Sequence, residues 1–235
     1  MPRSSRPERL RVYFSGIDGS GKTSCLDGLI ERLSPPNRVL RIGTTGFLIF
    51  EAGRSTRLIN SDRMEALGSK VRGTPLYGFW LICNFMYKFL ASKYFAWSAD
   101  YQVAMLETDM LINPSAYLAF HFPRLCRVLS PATRFRLLHT FFGARRGTVI
   151  LHLDVTPEVG LARCQSREEE DGYEIEPHEN LEDLTLLRAQ FEEITQAARD
   201  KGYDIVTIDT SDLSTDQMMD AAETEIRKRA TLSEA

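Results

Sequence analysis

Acidic residues are missing from a long stretch of this chain. From Met110 to Leu153 there is no Asp or Glu, although the 235-residue sequence holds 32 of them. Cysteine is scarce too. Cys25, Cys83, Cys126 and Cys164 lie far apart with no paired spacing, which argues against a disulfide framework and a zinc site and suits free thiols in a reducing compartment. The four histidines, His121, His139, His152 and His178, show no metal-ligand spacing. No apolar run is long enough to span a bilayer: the uncharged stretch from Thr74 to Tyr87 is too short, and Lys88 and Lys93 break the apolar run beyond it. The basic N-terminus, Met1 to Pro7, has no apolar core behind it and is read as a frayed tail over 1–8, not a signal peptide; a cytoplasmic address is expected. A net charge of −3 gives no global attraction to nucleic acid, and none is expected as a partner. Internal repeats and low-complexity linkers are absent, so residues 9–230 are read as one domain with room for a full core.

The chain does contain a phosphate-binding loop pattern. Residues Gly16-Ile17-Asp18-Gly19-Ser20-Gly21-Lys22-Thr23 match G-x-x-x-x-G-K-[ST]. Before them runs Leu10-Arg11-Val12-Tyr13-Phe14, a plausible buried strand. After them Leu26, Leu29, Ile30 and Leu33 recur on one face of a helix. Strand, glycine loop and helix is the context the pattern requires. Glycines let the backbone N–H groups converge on an anion, and the helix N-terminus adds partial positive charge. Lys22 is expected to neutralise β- and γ-phosphate charge, and the Thr23 hydroxyl to hold Mg²⁺. A bare glycine turn with no ligand is the alternative.

Further strands are expected at Arg38–Ile42, Gln102–Leu106, Thr148–Leu153 and Tyr203–Ile208, alternating with helices. That order implies a parallel sheet covered on both faces. Residues 43–73 show little periodicity and read as loop and short helix. The aromatic-rich stretch from Pro75 to Trp97 reads as a buried helix walling the nucleotide site, in preference to a membrane contact. Thr156-Pro157-Glu158 opens one helix and the Ser214/Gln217 capping box opens the last.

The acid-free segment carries Arg124, Arg127, Arg134, Arg136, Arg145 and Arg146. Two readings stay open: arginines that face water or pair with acids further on, or an anion-binding surface for phosphates or a peripheral membrane contact with lipid headgroups.

Taken together the chain resembles the thymidylate kinase family of P-loop nucleoside monophosphate kinases. The resemblance rests on Tyr13 to Ser24, on Leu153-Asp154-Val155-Thr156-Pro157-Glu158-Val159 with Leu161-Ala162-Arg163, on Leu187 to Phe191, and on Ile208-Asp209-Thr210-Ser211. It implies a three-layer α/β P-loop NTPase fold: a parallel five-stranded sheet flanked by helices, with a helical lid over about residues 163–180. It implies ATP and Mg²⁺ as cofactors, a small nucleotide-like acceptor, and a homodimer. Gly16, Gly19, Ser20, Gly21, Lys22, Thr23, Ser24 and Thr210 would bind ATP. Asp18 would approach the acceptor sugar or the metal region, and Arg163 and Arg167 would reach over the transferring phosphoryl group as lid arginines, the alternative being that they pair with Glu168 to Asp171 as a solvated charge cluster. Asp109, at a strand end, is the carboxylate expected at Mg²⁺, with an N-cap for the following turn as the alternative, whereas strand alternation points Glu107 away.

Three departures fall on the acceptor side. The family's Asp-Arg pair is Asp109-Met110 here, its Glu-Pro-Gly-Gly loop is replaced by Gly43-Thr44-Thr45-Gly46-Phe47, and the helix through Trp80 and Asn84 offers no arginine. Losing an arginine that grips a phosphate costs about 2–5 kcal/mol unless it is replaced. Either Arg124 and Arg127 rebuild the clamp, or the acceptor is not thymidylate; the aromatic wall favours the second. A catalytically degenerate nucleotide-binding module is the reading from outside the enzymes.

Overall fold

The computed structural model describes residues 9–34, 37–43, 46–51, 54–60, 62–71, 74, 76–98, 100–107, 111–143, 147–172 and 175–230. Strand β1 (Leu10–Ser15) leads through the glycine loop into α1 (Lys22–Leu33). Beyond it come β2 (Val39–Gly43), β3 (Gly46–Glu51), β4 (Arg54–Asn60), α2 (Asp62–Val71), α3 (Leu76–Ser98) and β5 (Val103–Leu106). Helices α4 (Ile112–His121), α5 (Pro123–Cys126) and α6 (Pro131–Phe142) fill the acid-free segment before β6 (Thr148–Asp154). The chain closes with α7 (Pro157–Asp171), α8 (Leu181–Asp200), β7 (Asp204–Asp209) and α9 (Thr215–Arg227).

The sheet order is β4-β3-β2-β5-β1-β6-β7. Strands β2, β5, β1, β6 and β7 pair in parallel, the five-stranded sheet expected from the alternating pattern. Strand β1 sits inside it, with Val12 opposite Met105 on one side and Val149 on the other. Successive side chains go to opposite faces. Val12, Phe14, Met105, Val149 and Leu151 pack beneath α1 and α9, while Tyr13 and Ile150 face α4, α6 and α8. Helix α1 keeps Leu26, Leu29 and Leu33 fully buried, each worth about 1.5–3 kcal/mol of transfer free energy. Two layers of helix thus clamp a sheet whose strand ends carry the glycine loop.

Two expectations need correction. Residues 43–73 do hold the short helix α2, but not loop before it: β3 and β4 run antiparallel and extend the sheet by two strands beyond β2. Residues 44–45 lie outside the described residues. Phe47 to Phe50 are apolar in an unbroken run and β4 mixes polar and apolar residues without alternating, so neither strand offers a period-2 signal to read. The aromatic helix α3 is also not buried all round. Phe85 and Phe89 meet Phe142 of α6 edge-on, and Trp80 stacks on Tyr77 and lies against Gly68 of α2. Yet Leu76, Phe79, Ile82, Leu90 and Tyr94 stand exposed, Phe79 by 70%. Among the described residues no helix is long and apolar enough to cross a membrane.

Candidate active site

The glycine loop is held by close packing at two points. Gly16 has φ 144° and Gly19 φ 75°, values that side chains rarely adopt. A Cβ on Gly16 would collide with the Leu153 carbonyl oxygen, and one on Gly19 with that of Gly160. The loop is therefore pressed against the end of β6 and the first turn of α7. Gly21 precedes α1 as its N-cap, so the helix opens toward whatever the loop encloses.

Lys22 is folded back along the loop. Its Nζ donates to the Gly16 carbonyl at 2.9 Å and to the Ile17 carbonyl at 2.7 Å, and lies 3.9 Å from Asp18 Oδ1. Burial lowers the lysine pKa, while the Asp18 and Glu107 charges oppose that. Thr23 Oγ1 donates to Glu107 Oε1 at 2.8 Å. Glu107 therefore faces the loop, against the expectation from strand alternation. The reason is the register: Glu107 still bonds the Ile42 carbonyl through its N–H at 3.2 Å, and it follows Val103 and Met105 on the face of the sheet that packs against α1, where Thr23 lies. Asp109 lies outside the described residues. Ser24 is exposed beside Thr23 at the helix start, and the Ser20 hydroxyl is buried with no hydrogen-bond partner among the described residues.

On the α7 side, Arg163 stitches the loop to the turn after β7. Its Nη2 donates to the Thr210 carbonyl at 2.7 Å and its Nη1 to the Gly19 carbonyl at 3.3 Å. The Thr210 hydroxyl lies 3.0 Å from the Asp154 carbonyl and 3.3 Å from that of Ser20. Arg188 of α8 grips the Asp154 carboxylate with two bonds, at 2.9 and 2.7 Å. Arg167 Nη2 donates to Glu179 Oε1 at 3.0 Å, and Glu179 Oε2 accepts the Glu176 N–H at 2.7 Å. The Glu179 side chain is only 2% exposed, so residues 175–180 are folded down onto α7.

Asp18 is the meeting point of loop, α4 and that folded segment. Its Oδ2 accepts from the Tyr117 hydroxyl at 2.7 Å and lies 3.2 Å from His178 Nε2. Tyr117 and Phe120 form a ring pocket for the imidazole, with centroids 5.6 and 5.5 Å away. Burial pushes the Asp18 carboxyl up, but the His178 bond, the Lys22 charge and the Tyr117 hydroxyl outweigh it and hold the pKa at about 2. The Asp18 bond raises the His178 pKa above 6.5 against the effect of burial. Burial, then the Asp18 charge, push the Tyr117 phenol well above its usual range. Neither Tyr117 nor His178 carries a signal in the sequence. His178 sits 160 residues from Asp18 and meets it only because the segment after α7 folds back.

These shifts set the sign of the pair's pH dependence. Asp18, with a depressed pKa, contributes fully above 3.8 and loses its contribution as pH falls through about 2. His178, with a raised pKa, contributes fully below 6.5 and loses it as pH rises through its higher folded value. The contact is therefore complete between 3.8 and 6.5. Titration of the His178 ring protons by NMR should give a pKa above 6.5 that drops on Asp18→Asn. An unshifted histidine in the native protein would contradict the geometry.

The structure brings together Gly16, Asp18, Gly19, Ser20, Lys22, Thr23, Arg163 and Thr210, with Arg167 one step away through Glu179. It ties Trp80 to α2 and leaves Asn84 half-buried on α3. Arg124 and Arg127 lie exposed in and after α5. Among the described residues no group of three or more His, Cys, Asp or Glu side chains could hold a metal ion.

No protein-family profile matches the chain, and no curated protein does. Solved structures do. Thymidylate kinase from Candida albicans superposes with a TM-score of 0.60 at 15% identity, covering 95% of this chain and 93% of that one. Deoxyadenosine kinase from M. mycoides with bound dATP superposes with a TM-score of 0.54 at 11% identity, covering 93% of this chain and all of that one. The same enzyme with bound dCTP gives 0.53. At such identities what is shared is architecture: this chain has the α/β fold of the thymidylate and deoxyadenosine kinases.

Proposed function

We propose that this chain is an ATP-dependent phosphotransferase of the nucleoside monophosphate kinase type, transferring the terminal phosphoryl group to a nucleotide-like small molecule. The observation that carries the proposal is the loop itself: a largely buried lysine held at its centre, and a Thr23 hydroxyl bonded to a strand-end carboxylate. Phosphoryl transfer asks little covalent chemistry of a protein and is driven by positioning and by cations around the equatorial oxygens. Lys22 supplies one such cation. Arg163 ties the loop to Thr210 and so sets the floor under a nucleotide, and Arg167 lies one helical turn further along α7. Asp18 faces the acceptor side, walled by Tyr117 and Phe120.

Thr23 and Glu107 are hard oxygen donors 2.8 Å apart, a donor set that suits Mg²⁺. They would hold the ion, which supplies charge neutralisation at the β- and γ-phosphates when bound. Glu107→Ala should raise the Mg²⁺ concentration for half-maximal rate about tenfold or more. Unchanged Mg²⁺ dependence would remove Glu107 from that role.

The acceptor is proposed to differ from thymidylate, because Met110 stands where the resembled family has its phosphate-gripping arginine, and the described site arginines are engaged. Arg163 bonds the loop and Thr210, Arg167 bonds Glu179, and Arg188 bonds Asp154. The test is transfer from γ-labelled ATP to a panel of nucleosides, nucleoside monophosphates and sugars, run beside Lys22→Ala. Lys22-dependent labelling of any acceptor supports the reading, and best transfer to thymidylate would overturn the acceptor part alone. Nucleotide binding without Lys22-dependent transfer would leave a binding module.

A further inference from the structure

Resting on the kinase reading, we infer that His178 and Tyr117 are positioning residues for Asp18, and that the His178–Asp18 contact latches the segment 175–180 onto the acceptor side of the loop. Three observations converge on this. First, the two carboxylate oxygens of Asp18 are treated differently. Oδ2 receives both the Tyr117 hydroxyl and His178 Nε2, whereas Oδ1 accepts no hydrogen bond among the described residues and lies 3.9 Å from Lys22 Nζ. Two donors on one oxygen fix the carboxylate plane and leave the other oxygen presented toward the phosphate lysine. A hydrogen-bond donor on the acceptor would meet Oδ1.

Second, the segment that delivers His178 is pinned independently at its neighbour. Glu179 is buried, accepts Arg167 of α7, and caps the Glu176 N–H. Residues 178 and 179 therefore point in two directions: one to the helix that carries Arg163 and Arg167, the other to the loop that carries Lys22. A movement of α7 relative to α4 has to break one of the two.

Third, the imidazole has been given a shaped seat. Tyr117 meets it edge-on and Phe120 lies tilted across it, while Phe191 supports Tyr117 from below at 6.2 Å. Among the described residues the charged and titratable groups around His178 are Asp18 and Tyr117, with Glu176 and Glu179 on its own segment. Among the described residues Asp18 is the one hydrogen-bonded to the ring, and it is the partner the latch has to lose.

The inference has a readout that needs no acceptor. Amide hydrogen exchange of the unliganded protein should speed up about tenfold over residues 175–180 in Asp18→Asn and in His178→Asn, with protection at Ala222 and Ile226 of α9 unchanged. Exchange at 175–180 that stays at the native rate in both variants overturns the latch. Kinetics then separate positioning from mere structure, using the panel acceptor that gives the strongest Lys22-dependent transfer. Tyr117→Phe and His178→Asn should each raise the acceptor KM about tenfold and leave the ATP KM within about twofold, with His178→Gln restoring part of the loss. ATP and acceptor KM rising together would overturn the positioning role. Should no acceptor be labelled in a Lys22-dependent way, the kinase reading fails while the exchange result still decides the latch.

Discussion

Lys22→Ala is expected to lower phosphoryl transfer about 10³-fold to every acceptor while the protein stays folded. The size comes from what the ammonium does. It is a largely buried point charge, fixed by two backbone carbonyls at 2.7 and 2.9 Å and 3.9 Å from the Asp18 carboxylate, in a loop whose backbone offers neutral N–H donors. Removing one preorganised donor or cation from a developing charge in a site shielded from water costs about 10²–10³ in rate, and cationic contacts to a transferring phosphoryl group cost about 10³–10⁵. Lys22→Arg should not rescue it. The planar guanidinium is larger, and the native amine already fits between carbonyls at hydrogen-bond distance. The measurement is initial-rate transfer from γ-labelled ATP, paired with circular dichroism and a denaturant midpoint. A rate within about threefold of native, in a folded variant, would remove the loop from the chemistry.

The same contacts explain which features are legible in the sequence. The loop and its flanking strand and helix can be read because each depends on a local pattern: glycines where φ is positive, an apolar run before, and a four-residue apolar stripe after. The Ser214/Gln217 capping box forms for the same reason, with both of its hydrogen bonds in place. Helix α3 misleads because it is apolar on every side, and such a helix reads as buried. Nothing in its sequence marks the face carrying Phe79 and Leu90 as the outer one. For Glu107 the alternation itself holds, Val103, Met105 and Glu107 sharing one face, but the sequence does not say that this face of β5 is the one that meets α1 and Thr23. His178 and Glu179 lie in a polar, acid-rich stretch that reads as solvated surface. Their burial against Phe120 and Arg167 is created by the chain folding back after α7, and a contact across 160 residues leaves no trace in spacing.

Phe191→Ala should be the most destabilising single change on the face of the sheet covered by α4, α6 and α8, by about 3–5 kcal/mol. Phe191 is fully buried in α8, in the cluster that includes Ile112, Phe135, Leu187 and Ile194. Its ring also meets Tyr117 edge-on at 6.2 Å and lies 5.5 Å from His152, whose Nδ1 is 3.0 Å from the buried Ser15 hydroxyl at the end of β1. Burial holds the His152 pKa down at about 4, so this imidazole is neutral and packs as a polar extension of the core. Truncating Phe191 therefore opens a cavity under two site elements together, the end of β1 and the Tyr117 wall of Asp18. A domain of this size has a typical stability of about 5–15 kcal/mol, so the loss is a large fraction of the total. Leu186→Ala, on the exposed side of the same helix, should change stability by no more than about 0.5 kcal/mol. Urea or guanidinium midpoints of the two variants, converted with a common slope, give the comparison. Equal small effects would mean that α8 does not pack as described. A large effect from Phe191 alone, accompanied by a higher acceptor KM, would show that the helix layer and the Asp18 cluster are one mechanical unit.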